Sequence, residues 1–271
     1  VDPACYLTDS DIREEKAAAD TGRSAVRPSG KEGGCGKRLA EAAETNKEAG
    51  PETSLKVVAW EITRRCSLNC RHCRGSAKSS DYEGELSTGE CLKVLDGIAA
   101  NATPLMIFTG GEPMARSDIY DIVRYATSEK GLRAVMAPCG HLLTPDAANR
   151  LRDAGIMGLS ISLDRATAED HDAFRGVPGA FRRSLRGIRC AREAGIPLQI
   201  NTTVTRENVH ELPAMLDLAV ELGAGSFDMF FLVPTGRGSA LRDLELSPQQ
   251  YDDTLRWVSR TAADAPIRVK T

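Results

Sequence analysis

No charge of either sign predominates in the 271 residues: 35 Lys and Arg face 38 Asp and Glu, a formal net charge of −3. That balance gives no electrostatic footing for nucleic acid or an anionic membrane surface, and neither is expected as a partner. No apolar run approaches the roughly 20 residues of a membrane-spanning helix. The first thirty residues lack the apolar stretch of a secretory signal. A cytoplasmic, reducing location is therefore expected, where clustered cysteines serve metal or redox chemistry before disulfides. Core-forming residues are scarce at the start: Val1, Leu7, Ile12, Val26 and Leu39 are the only Leu, Ile, Val or Phe among residues 1–54. A segment below about 20% in these residues cannot hold a core. Residues 1–54 are expected to form a disordered polar extension, with at most a transient helix over Lys37–Lys47 and with Cys5 and Cys35 as unpaired surface thiols. The chain opens on Val rather than Met, as a fragment or processed form would.

What remains is ordinary globular material, 41% apolar and 27% charged overall. From Leu55 onward, short apolar runs alternate with amphipathic stretches. Strands are expected at 56–62, 104–108, 132–137, 158–163, 197–204 and 226–233. Helices are expected at 87–100, 117–130, 144–155, 179–194, 209–222 and 247–262. Ser87 and Glu90 are spaced as a capping box, Pro145 and Pro248 sit at favoured first positions, and Gly131, Gly155 and Gly195 stop their helices. Most of the strands read as continuously apolar, as when both faces are covered. Right-handed βαβ connections then give an α/β fold, a parallel sheet curled into a partial (β/α)6 barrel over 55–264, with its site at the carboxyl ends of the strands. Residues 265–271 are expected to begin a further C-terminal segment.

Directly after the first strand stands Thr63-Arg-Arg-Cys66-Ser-Leu-Asn-Cys70-Arg-His-Cys73. Three thiolates on one short loop can ligate three irons of a four-iron cubane and leave the fourth open to a substrate or cofactor. A zinc site using the three cysteines and His72 is the alternative, although structural zinc usually pairs two close dyads. Ordinary core cysteines fit poorly beside Arg64, Arg65, Asn69, Arg71 and Arg74. The second strand ends in Gly110-Gly111-Glu112-Pro113, which alone would be common turn chemistry.

The C-x3-C-x2-C spacing followed one βα unit later by Gly-Gly-Glu-Pro resembles the signature of the radical S-adenosylmethionine (SAM) superfamily. The resemblance implies a 4Fe-4S cluster on Cys66, Cys70 and Cys73. It also implies SAM on the open iron, with Gly110, Gly111, Glu112 and Pro113 approaching its amino group. SAM would be cleaved reductively to a 5′-deoxyadenosyl radical, with the electron coming from a low-potential donor such as ferredoxin or flavodoxin. Ser162 and Asp164 at the end of the fourth strand resemble the ribose- and ammonium-binding strand end; the competing reading of Asp164 is a cap for the next helix. Asn201 and Thr203 on the fifth strand would serve adenosine or substrate, unless threonine is there for β-propensity alone. Arg175 would reach the SAM carboxylate, or else be solvated. Cys139 and His141, at the turn after the third strand, are weak catalytic candidates, a hydrogen-atom donor among the options; a plain turn with a buried cysteine competes. Cys91 and Cys190 read as core.

Six longer stretches, Val58–Cys66, Arg71–Arg74, Thr109–Met114, His171–Gly176, Gln199–Arg206 and Phe231–Gly238, resemble the radical SAM enzymes of the siroheme-dependent haem pathway. That resemblance, to haem b synthase and didecarboxysiroheme deacetylase alike, runs from Leu55 to about Ala262. It implies a haem-precursor substrate and oxidative decarboxylation of iron-coproporphyrin III propionates to vinyls. Deacetylation of a related precursor, haem d1 side-chain chemistry and peptide maturation are the alternatives. A non-catalytic iron–sulfur or zinc protein is the alternative of a different class. Arg133, Arg175, Arg206 and Arg237 are candidates to meet propionates. These families usually carry a cysteine-rich C-terminal extension, whereas no cysteine follows Cys190 here.

Overall fold

A computed structural model describes residues 55–271. The expected polar extension over 1–54, its transient helix at Lys37–Lys47, Cys5 and Cys35 lie outside the described residues. Seven strands form one sheet: β1 (Val57–Thr63), β2 (Leu105–Gly110), β3 (Arg133–Met136), β4 (Leu159–Ser162), β5 (Leu198–Val204), β6 (Ser226–Phe231) and β7 (Arg268–Lys270). Their order across the sheet is their order in the chain, and every neighbouring pair is parallel. This is the α/β half-barrel expected, with a seventh strand added at the far edge.

Helices fill the crossovers: α1 (Thr88–Asn101), α2 (Ile119–Arg124, continued by one π turn, Tyr125–Glu129), α3 (Pro145–Asp153), α4 (Ala168–Arg175), α5 (Ala180–Glu193), α6 (Leu212–Glu221) and α7 (Pro248–Asp264). Local chemistry explains where they start. Ser87 accepts from the Glu90 N–H while Glu90 accepts from the Ser87 N–H, and Ser247 with Gln250 repeats that reciprocal cap at α7. Two elements lacked a sequence signal. The α4 sequence is too polar for an apolar stripe, yet Thr167 caps its start and Gly176 ends it in the left-handed region at φ 71°. At three residues, β7 is too short to display a period.

The expectation of continuously apolar strands fails at β4 and β5. Leu159, Ile161, Leu198, Ile200, Thr202 and Val204 are buried, while Ser160, Ser162, Gln199, Asn201 and Thr203 alternate with them half-buried. Helix α5 covers the apolar face of these strands. The opposite face stays polar, as suits a sheet that keeps this side for ligand rather than for layers of packed side chains. Among the described residues no helix is long and apolar enough to cross a membrane.

Candidate functional site

The loop after β1 folds back on itself. The Cys66 N–H donates to Lys78 O at 2.8 Å, and the N–H groups of Cys73 and Ser76 donate to Cys70 O and Cys73 O, each at 3.3 Å. Cys66, Cys70 and Cys73 thereby pack into one group with Leu68, Ala77 and Ala180, against which Val177 and Cys139 also lie. Each sulfur has a donor: the Leu68 N–H to Cys66 Sγ and the Ala77 N–H to Cys73 Sγ, each at 3.4 Å, and Arg175 Nη1 to Cys70 Sγ at 3.7 Å. Burial pushes the Cys66 thiol up to about 11 and raises Cys70 too, with the Arg175 guanidinium opposing at Cys70. Thiols so buried ionise when a bound cation supplies the charge.

Among the described residues no three His, Cys, Asp or Glu side chains converge as a single metal ion requires. A cubane cluster spreads its thiolates over separate irons. Three sulfurs packed in one group, each facing a donor, are compatible with that arrangement.

Three clamps hold the loop. At the C-terminus of α4, the N–H groups of Asn69 and Arg71 donate to Arg175 O (3.1 Å) and Phe174 O (2.9 Å), carbonyls that the helix leaves free. From the segment after β6, Arg237 Nε donates to Cys70 O at 3.0 Å and Arg237 Nη1 to Ala77 O at 2.5 Å. At the end of β2, the N–H groups of Gly111 and Glu112 donate to Thr63 O (2.8 Å) and Arg65 O (2.7 Å). Gly110 sits at φ 130°, and a Cβ there would stand 2.2 Å from Thr63 O; one on Gly111 would stand 2.3 Å from Arg65 O. Both glycines are therefore required by close backbone approach.

Glu112 is fully enclosed. Its Oε1 accepts from the Met114 N–H at 3.0 Å and its Oε2 from the Cys139 N–H at 2.7 Å. Burial raises its pKa. The carboxylate thus ties the end of β2 to the turn after β3 and brings Cys139 beside the three cysteines. His141 turns elsewhere: its Nε2 faces Ala180 O at 3.1 Å and its Nδ1 accepts from Arg183 Nε at 3.3 Å. With both ring nitrogens engaged, His141 has none left to offer a substrate.

Asp164 does not cap α4, since Thr167 does. Its Oδ1 accepts from the Thr203 N–H at 2.8 Å, and its Oδ2 lies 2.5 Å from Arg175 Nη2. Burial alone would raise the Asp164 pKa; Arg175 first, then His72, His171 and the Thr203 N–H, together outweigh it and hold the carboxyl below its ordinary value. Arg175 is therefore buried and paired, not solvated. Ser162 and Asn201 are register partners on the half-buried face, and Gln199 Nε2 donates to Asn201 Oδ1 at 2.8 Å. Of the arginines offered to propionates, Arg175 and Arg237 are committed to the cysteine loop, and Arg206 donates to Glu245 O at 3.0 Å.

Sequence reasoning missed Glu85 and Arg116. Glu85 accepts from Thr63 Oγ1 (2.7 Å) and Arg65 Nη2 (3.1 Å), while buried Arg116 pairs with Asp118 at 2.7 Å and reaches Ile62 O at 3.3 Å. Asn208 Nδ2 bridges Asp164 O and Thr203 O at 2.7 and 2.9 Å. Nothing local in the sequence marks these partners.

Burial pushes the imidazoles of His141 and His171 down to about 4, aided by Arg183 and Arg175 respectively. Unfolded, each titrates near its ordinary value of about 6.5, so the unfolded chain binds more protons between these limits. Stability should fall as pH drops from about 6.5 towards about 4.5, by roughly 1–3 kcal/mol, with Glu112 opposing part of the loss. Urea unfolding at about pH 7 and about pH 5 checks the sign; an equal or higher midpoint at the lower pH contradicts it.

The Radical SAM superfamily model matches residues 60–219, from β1 through most of α6. The chain belongs to the radical SAM superfamily. Within it, the chain is 47% identical over 214 residues to the "AdoMet-dependent heme synthase" of Nitratidesulfovibrio vulgaris, covering 77% of this chain and 58% of the relative. It is 39% identical over 194 residues to the "Fe-coproporphyrin III synthase" of Methanosarcina barkeri, covering 72% of this chain and 48% of the relative. This radical SAM chain thus spans about half to three-fifths of the length of these relatives. The AdoMet-bound structure of anSMEcpe shares the fold at TM-score 0.65 and 15% identity, over 80% of this chain and 63% of that one.

Proposed function

We propose that residues 55–264 form the SAM-cleaving core of an enzyme that modifies the side chains of a haem precursor, most specifically the propionates of iron-coproporphyrin III. The observation that carries this reading is the group of three cysteines, Cys66 and Cys70 buried and Cys73 half-buried beside them, braced by the Gly110–Glu112 strand end. A 4Fe-4S cluster and SAM, when bound, supply one-electron chemistry that no side chain provides. The chain's own residues do the rest. Cys66, Cys70 and Cys73 hold the cluster. Gly110 and Gly111 let the β2 end lie flat against the loop. Ser162, Asn201 and Thr203 present polar groups for ribose, adenine or substrate, and the half-buried sheet face keeps the reacting atoms from water. A low-potential cytoplasmic ferredoxin or flavodoxin supplies the electron.

The test is anaerobic incubation with SAM, a reductant and iron-coproporphyrin III, recording porphyrin mass. Stepwise loss of carboxyl groups supports the reading. The similarity to an Fe-coproporphyrin III synthase favours a second one, in which an acetate-bearing precursor is the substrate. A parallel incubation with didecarboxysiroheme separates the two, and turnover of neither porphyrin, with deoxyadenosine still formed, rejects the haem-precursor assignment.

A further inference from the structure

We propose that the buried Arg175–Asp164 pair sets the reduction potential of the cluster held by Cys66, Cys70 and Cys73, Arg175 raising it through Cys70 and Asp164 moderating that effect. The inference rests on the reading of the three cysteines as cluster ligands and assigns these two residues a role beyond it.

Arg175 presents two nitrogens to two different partners. Nη1 lies 3.7 Å from Cys70 Sγ, and Nη2 lies 2.5 Å from Asp164 Oδ2. Neither Nη2 nor Oδ2 makes any further hydrogen bond among the described residues. Both side chains are withdrawn from solvent, Asp164 completely and Arg175 to 8%. A charge so placed acts on its neighbour with little screening.

The geometry is held from several sides. Arg175 is the last residue of α4, and its own carbonyl binds the Asn69 N–H next to Cys70. Asp164 is fixed at Oδ1 by the Thr203 N–H, at its N–H by His171 Nδ1 and at its carbonyl by Asn208. The guanidinium therefore cannot drift from the sulfur without breaking the contact between helix and loop.

Hydrogen bonds to cluster sulfurs and nearby charge are among the levers that set iron–sulfur potentials. Reduction adds one negative charge to the cluster. A cation at Cys70 favours the reduced state, and the carboxylate behind it offsets part of that preference. Removing each partner should therefore move the potential in opposite directions. Loosened packing would not give that pattern, since it would move both variants the same way.

The experiment uses the full 271-residue chain, reconstituted anaerobically, with iron and sulfide counted per chain before anything else. Midpoint potentials without SAM are then read by spectroscopically monitored potentiometry. Arg175→Met should shift the midpoint downward by at least a tenfold change in the reduced-to-oxidised ratio, about 59 mV for one electron. Asp164→Asn should shift it upward, and Arg175→Lys should recover most of the Arg175→Met loss. If Arg175→Met binds no iron, Arg175→Lys and Asp164→Asn still decide the sign. Midpoints that stay together, or move the same way, overturn the proposal. A loss of SAM affinity at unchanged potential would overturn it too, and would assign Arg175 to SAM instead. An unaltered chain that takes up no cluster would reject the reading of the three cysteines, an outcome separate from either of these.

Discussion

Gly110→Ala and Gly111→Ala should each remove cluster retention and cost about 4 kcal/mol or more of stability, an exceptional effect for one methyl group. Two physical effects add at Gly110. Its φ of 130° lies where a side chain is strained, and the new Cβ would stand 2.2 Å from Thr63 O. Gly111 has the second effect alone, at 2.3 Å from Arg65 O. In both cases the obstructing atom is backbone, so no rotamer change relieves the contact. The β2 end must then separate from the loop, losing the Gly111 and Glu112 hydrogen bonds that brace it. Gly97→Ala makes the control, because nothing lies within 4 Å of the added methyl on the exposed face of α1. It should be neutral or stabilising by about 0.5–1 kcal/mol. Denaturant unfolding with iron analysis checks all three, and near-normal stability of Gly110→Ala would contradict the close approach.

Ala in place of Cys66, Cys70 or Cys73 should abolish most bound iron after reconstitution. Each sulfur occupies a place that no other described side chain fills. Cys139, which packs against the same group, is held by its own N–H to Glu112 and by Ser184 Oγ on its carbonyl, so it is tied to the turn after β3. Cys139→Ala, Cys91→Ala and Cys190→Ala should retain iron. Full retention in Cys70→Ala would remove the ligand assignment, and zinc without sulfide in the unaltered protein would favour the alternative of a non-catalytic metal site.

Much of this arrangement was legible because it is local. The C-x3-C-x2-C loop, the Gly-Gly-Glu-Pro turn and the two capping boxes depend on residues a few positions apart. What was not legible depends on distance along the chain. Asp164 read equally well as a helix cap because its partner Arg175 sits at the end of α4, a helix too polar to announce itself. Arg237 read as a propionate ligand, yet it donates to carbonyls 167 and 160 residues away. His141 faced the site on paper, whereas the packing of α5 turned its ring onto Ala180 O. Ser162, Asn201 and Thr203 stood out singly, but their union with Ser160 and Gln199 into one polar face of β4 and β5 depends on the pairing of the two strands.

The central claim is that this loop and strand end cleave SAM. The most direct measurement is 5′-deoxyadenosine formed per chain by the reconstituted protein, with SAM and dithionite under strict anaerobiosis, beside the same protein carrying Cys70→Ala. Stoichiometric or greater deoxyadenosine from the unaltered chain and none from Cys70→Ala is the predicted result. A chain that binds four irons and sulfides yet forms no deoxyadenosine would contradict it.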